Sequence, residues 1–103
     1  MKILCITPIK HLDGVYDYLS SFGRVDYFPS LDHGDFDEIK ISSYDVIFCN
    51  PNKQNYYLDE SILDEFTGVI ITASTGVNHI DVEYCKQAGI DVICNAKDYD
   101  LLN

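Results

Sequence analysis

Ser74, Thr75 and Gly76 form the part of this chain best suited to chemistry. Two hydroxyls and a glycine sit between an apolar run, Val69-Ile70-Ile71, and a helix-start pattern, Asn78 with Asp81 three residues on. A buried strand followed by a short polar turn and a helix start presents main-chain N–H groups and the positive end of a helix above the sheet. Such a corner suits an anion, here a small carboxylate or phosphate. Gly76 supplies the backbone freedom that a tight turn or a close approach requires. Ser74 and Thr75 either meet a ligand or satisfy the turn's own backbone groups, and Asn78 reads as the helix cap.

Comparable polar segments close the other apolar runs: Thr7 to His11, Pro29-Ser30, Asn50-Pro51-Asn52-Lys53 and Asn95-Ala96-Lys97. In an open parallel sheet, ligands gather outside the carboxyl ends of the strands, so one edge of the domain is expected to be built for contact. Lys10 and Lys53 read as solvated lysines and His79 as a surface or half-buried histidine rather than a catalyst. Tyr56 and Tyr57 read as packing or surface residues.

The elements that would carry these segments are legible from periodicity. Five apolar runs, Ile3-Leu4-Cys5-Ile6, Val25-Asp26-Tyr27-Phe28, Val46-Ile47-Phe48-Cys49, Val69-Ile70-Ile71 and Val92-Ile93-Cys94, have the continuous character of strands covered on both faces. Between them, Val15, Tyr18, Leu19 and Phe22 fall on one helical face, with Asp13 as cap and Gly23 as stop. Asp35 to Ile41 reads as a short, weak helix. Asp59 starts a better one with Ile62, Leu63 and Phe66 inward, and a last helix is expected from about Asn78 to Ala88 with Gly89 as its stop. Alternating strands and helices imply right-handed crossovers and a parallel sheet. The fold expected for residues 1–103 is a single α/β domain, a flavodoxin-like three-layer sandwich. Its five-stranded parallel sheet would have the order 2-1-3-4-5, with helices on both faces.

Composition narrows the function. Seventeen acidic against seven basic residues give a formal charge of −10, and Arg24 is the single arginine, which argues against a nucleic-acid partner. Cys5, Cys49, Cys85 and Cys94 show no CxxC or zinc-knuckle spacing with the three histidines, so no metal site is expected; Cys5, Cys49 and Cys94 sit in apolar runs and read as buried reduced thiols of a cytoplasmic protein. No apolar run approaches the ~20 residues of a membrane span, and the first is too short for a signal peptide. The six glycines form neither GxGxxG nor a Walker A loop, so this chain is expected to bind no dinucleotide. Ser74-Thr75-Gly76 follows the fourth strand rather than the first, which weighs against a flavin phosphate loop. No residues are singled out as catalytic.

The run TASTGVNHIDVEYCKQAGIDVICNA resembles the amino-terminal, substrate-binding segment of the D-isomer-specific 2-hydroxyacid dehydrogenases. The likeness spans the chain in layout and is most specific from Ile71 to Tyr99; KILCITPIKHLDGV and YDVIFCNPN fit the first and third strands of the same fold. Lys97 stands where a proline is frequent in the family, and Ser74-Thr75 replaces a more usual apolar pair.

The resemblance implies a substrate domain joined, in a longer protein, to a separate NAD- or NADP-binding domain. It further implies that the Thr75-Gly76 amides meet the carboxylate of a small 2-keto or 2-hydroxy acid, that Asn50 and Asn52 lie near the same cleft, and that Tyr99 falls at the domain junction, packing there or touching the ligand. The expected substrate-binding residues are thus Ser74, Thr75, Gly76, Asn50, Asn52 and Tyr99. The family's clamping arginine, its Glu-His acid/base pair and its dinucleotide fingerprint lie beyond the matching region, so the chain alone is expected to be inactive and monomeric. The competing expectation is a free-standing flavodoxin-like module that binds a small anion or a protein without catalysis.

Overall fold

The computed structural model describes residues 1–10, 14–29, 32–49, 56–72 and 79–94. Five strands, β1 (Lys2–Cys5), β2 (Arg24–Tyr27), β3 (Val46–Cys49), β4 (Val69–Thr72) and β5 (Asp91–Cys94), pair entirely in parallel in the order β2-β1-β3-β4-β5. The register aligns Tyr27, Cys5, Phe48, Ile71 and Ile93 across the sheet, and one step further on Cys49, Thr72 and Cys94. All carboxyl ends therefore lie along one rim.

Alternation along each strand divides the core between two faces. Leu4, Ile6, Ile47, Cys49 and Ile70 share one cluster with Leu58, Ile62, Leu63 and Phe66 around α2 (Glu60–Leu63), and with Ile80, Cys85 and Ile90 around α3 (Val82–Ala88). Ile3, Cys5 and Val46 face the other way and pack with Leu19 and Val15 of α1 (Val15–Ser20) and with Ile9. Helices thus cover both faces. Two 3-10 segments, His33–Glu38 and Ile41–Ser43, replace the expected weak helix between β2 and β3. Asp32 opens the first with a capping box in which the Asp35 side chain reaches back to the Asp32 amide at 2.9 Å.

Three expectations shift. First, α1 ends at Ser20, and Tyr18 and Phe22 do not turn inward: they are 65% and 52% exposed, with their rings edge-to-face at 5.0 Å. Together with Met1, Phe48, Val69 and Ile71 they border an apolar groove of about 410 Å³ on the α1 face. Second, α2 has the expected Asp59 cap, accepting from the Ser61 amide at 3.0 Å, but is a single turn, after which Phe66 turns into the core. Gly68 then passes so close to β3 that a Cβ there would meet the Asp45 carbonyl oxygen.

Third, α3 starts at Asp81 rather than at Asn78, which lies outside the described residues. Leu58 N–H donates to the His79 carbonyl and Asp81 N–H to the Leu58 carbonyl, both at 2.9 Å. These bonds form a parallel bridge between Leu58 and Ile80 that precludes a helix before Asp81. The Asp81 carboxylate caps the Tyr84 amide at 3.1 Å, and Gly89 ends α3 in the left-handed conformation at φ 77°.

Candidate functional site

Thr7, Tyr27 and Thr72 stand at the rim formed by the carboxyl ends of the strands. At β1, Thr7 and Ile9 are buried over the strand end, and the Cys5 thiol donates to the Thr7 carbonyl at 3.4 Å. Tyr27, last residue of β2, folds its hydroxyl back to accept from the amides of Ile9 at 3.0 Å and Lys10 at 3.4 Å. Its ring meets Tyr16 of α1 edge-to-face at 5.6 Å. The Lys10 ammonium rests 4.8 Å from the Tyr16 ring centre and 4.9 Å from that of Tyr27. Each such contact contributes about 0.5–1 kcal/mol at an exposed site, so the two restrain a side chain that is otherwise among the most mobile. Lys10 is exposed, as expected, but it is not free-floating.

The last residues of β3 and β4, Cys49 and Thr72, are buried. Cys49 is fully buried, and its Sγ lies 3.3 Å from Nε2 of His79, which is only 5% exposed. Burial pushes the Cys49 thiol up, against the opposing effect of a hydrogen bond with Thr72, and burial pushes the His79 imidazole down. Both shifts favour the uncharged forms, a neutral thiol against a neutral imidazole. The thiolate-imidazolium pair of a cysteine nucleophile needs the opposite shifts. The Nδ1 atom of His79 is buried without a hydrogen-bond partner. Tyr56, expected to pack or lie on the surface, is buried and donates to the Ile6 carbonyl at 3.3 Å. Burial likewise raises Cys5 to about 11.

Among the expected site residues, Asn50, Asn52, Ser74, Thr75, Gly76 and Tyr99 all lie outside the described residues, as do Lys53 and His11. Described are the strands leading into them: Cys49 immediately precedes Asn50, Thr72 comes two residues before Ser74, and these two strand ends are register partners. Sequence reasoning missed the buried contact of His79 with Cys49. Nothing local signals it, since the partners are thirty residues apart. It also treated Lys10 as an ordinary solvated lysine; its partners Tyr16 and Tyr27 lie downstream on two separate elements. Among the described residues no group of three His, Cys, Asp or Glu side chains could hold a metal ion. Nor is any helix there long and apolar enough to cross a membrane.

An all-parallel five-stranded sheet of this order, with helices on both faces, defines an α/β domain of the flavodoxin-like class. The family model described as D-isomer specific 2-hydroxyacid dehydrogenase, catalytic domain, matches residues 8–101, and the chain belongs to that family. Among solved structures it is similar to the PH0520 protein from Pyrococcus horikoshii OT3, with a TM-score of 0.75 and 20% identity over 90% of this chain. It is also similar to a glyoxylate reductase from Paecilomyes thermophila, with a TM-score of 0.73 and 19% identity over 91% of this chain. At those identities the likeness speaks for the fold. The chain spans 27% and 31% of the lengths of these two proteins. A search of curated proteins gives no match.

Proposed function

We propose that this domain holds the carboxylate of a small 2-keto or 2-hydroxy acid for reversible hydride transfer at C2, within an NAD- or NADP-dependent D-2-hydroxyacid dehydrogenase. The observation that carries the reading is the family match across residues 8–101, on a sheet whose β3 and β4 end side by side. Adjacent strands lie about 4.8 Å apart, so the segments after Cys49 and Thr72 leave the sheet close enough to share one small ligand. In this reading the amides of Thr75 and Gly76, with the Ser74 hydroxyl, bind the carboxylate. Asn50 and Asn52 belong near the same cleft, and Tyr99 at the domain junction, packing there or touching the ligand. These groups position the acid and neutralise its head.

The described residues do not fit the cofactor. The turn after β1, where a dinucleotide fold opens a glycine cradle, is filled here by the buried side chains of Thr7 and Ile9. The nicotinamide, which supplies the hydride chemistry, therefore belongs to a separate, covalently linked domain, and no step is assigned to it on these residues.

Titration of the chain with pyruvate or glyoxylate, and separately with NADH, tests the reading. Millimolar keto-acid binding that Gly76→Val weakens, with NADH silent, is the expected outcome. Micromolar NADH binding would overturn the division into domains, and the absence of keto-acid binding would favour the non-catalytic module.

A further inference from the structure

The bridge between Leu58 and Ile80 stands outside the five-stranded sheet. Two main-chain bonds make it, from the Leu58 amide to the His79 carbonyl and from the Asp81 amide to the Leu58 carbonyl. A bridge that no ladder continues can open without disturbing the cooperative pairing of β1 to β5.

Burial of side chains keeps it shut, since Leu58, His79 and Ile80 are all buried. The His79 ring has one polar contact, Nε2 with Cys49 Sγ at 3.3 Å, and Nδ1 has no hydrogen-bond partner. The titratable groups around this pair are uncharged. Burial raises the thiols of Cys49 on β3, Cys5 on β1 and Cys85 on α3, and the phenol of Tyr56, while Thr72 of β4 is hydrogen-bonded to Cys49. The carboxylates nearest along the chain are engaged as helix caps, Asp81 with the Tyr84 amide and Asp59 with the Ser61 amide. Burial alone displaces the His79 imidazole, and no charge on a described residue offsets it.

A proton added to this ring is left unsatisfied. It makes both ring nitrogens donors: Nε2–H faces a neutral sulfur, a weak acceptor, and Nδ1–H faces no partner. The imidazolium must therefore reach water. A ring enclosed in this way gets there by lifting its own main chain from Leu58. We propose that His79 is an acid-operated latch: on protonation, residues 79–81 detach from Leu58 and expose the ring, while the five-stranded sheet stays paired. Acidity thus loosens the wall beside the end of β3 without unfolding the domain.

Amide hydrogen exchange of the full chain, followed by NMR from pH 7.5 to pH 5.5, tests the latch. The amides of Leu58 and Asp81 report on the bridge, and those of Ile47 and Ile70 on the sheet. The bridge amides are expected to exchange at least about tenfold faster than the sheet amides, at rates that low urea leaves unchanged, as local opening requires. Their protection should fall by up to about tenfold per pH unit below 6.5, the limit for uptake of one proton. That fall disappears in His79→Gln and in His79→Leu, the second of which fills the buried position with an apolar chain. Bridge amides that exchange in step with Ile47 and Ile70 at pH 5.5 would overturn the latch, as would a fall in protection that survives both substitutions.

Discussion

The Cys49 thiol and the His79 imidazole meet at 3.3 Å across the carboxyl rim, joining the end of β3 to the segment that introduces α3. Burial keeps both neutral, which makes the contact a pH-dependent fastening.

The His79 imidazole, held below its ordinary value of 6.5, must take up a proton more readily once unfolded. Its contribution to stability is therefore present above about pH 6.5 and is lost as pH falls from there toward the depressed folded value. The urea midpoint should drop between pH 7.5 and pH 5.5, and His79→Leu should remove part of that drop. A variant whose midpoint falls as steeply as the parent's would show that His79 is not the group responsible.

The thiols of Cys5, Cys49 and Cys85 are buried and raised. Iodoacetamide at pH 8, read peptide by peptide, should leave all three unlabelled in the folded chain and label them in urea, since the thiolate is the reactive form. Labelling of Cys49 in the folded chain within minutes would contradict its burial. The shift at Cys5 from 9.0 to about 11 has the opposite sense to that of His79: its stabilising contribution is complete below pH 9 and disappears as pH rises through about 11.

Gly68 and Gly34 form a matched pair for mutation. At Gly68 a methyl group would strike the Asp45 carbonyl oxygen, which accepts the Val69 amide at 3.0 Å and so helps fasten the start of β4 beside β3. Gly68→Ala should cost about 3 kcal/mol by forcing that approach open. Gly34→Ala, with nothing near its added carbon, should stay within about 0.5 kcal/mol of the parent. Chemical denaturation of the two variants side by side measures the difference.

The sheet was readable because parallel strands covered on both faces appear as unbroken apolar runs, and Ile3 to Ile6, Val46 to Cys49 and Val69 to Ile71 do so. The order of strands followed from the alternation with helices. Periodicity failed where tertiary pairing outweighed local preference. Residues 79–81 sit next to a good capping pattern, yet two main-chain bonds to Leu58 hold them in a bridge, and that partner lies more than twenty residues upstream. Tyr18 and Phe22 fall on the same helical stripe as Leu19, but a helix as short as α1 buries only Leu19 fully. For the site, the polar residues expected at strand ends, Asn50, Asn52 and Ser74 to Gly76, lie outside the described residues. The pairing of Cys49 with His79, and the clamp of Tyr16 and Tyr27 on Lys10, join separate elements and could not be read from spacing alone.

The place of β1 between β2 and β3 has a consequence for how the chain comes to be folded. During synthesis β1 emerges before both of its neighbours, and β2 can dock on one side of it well before β3 exists. Until Val46 to Cys49 have been made, the other edge of an almost wholly apolar strand stays unpaired, a configuration open to mispairing with a second nascent chain. Slower growth at low temperature, which lengthens this interval, and high ribosome density, which crowds such edges together, should therefore affect soluble yield through β1 before the rim has formed at all.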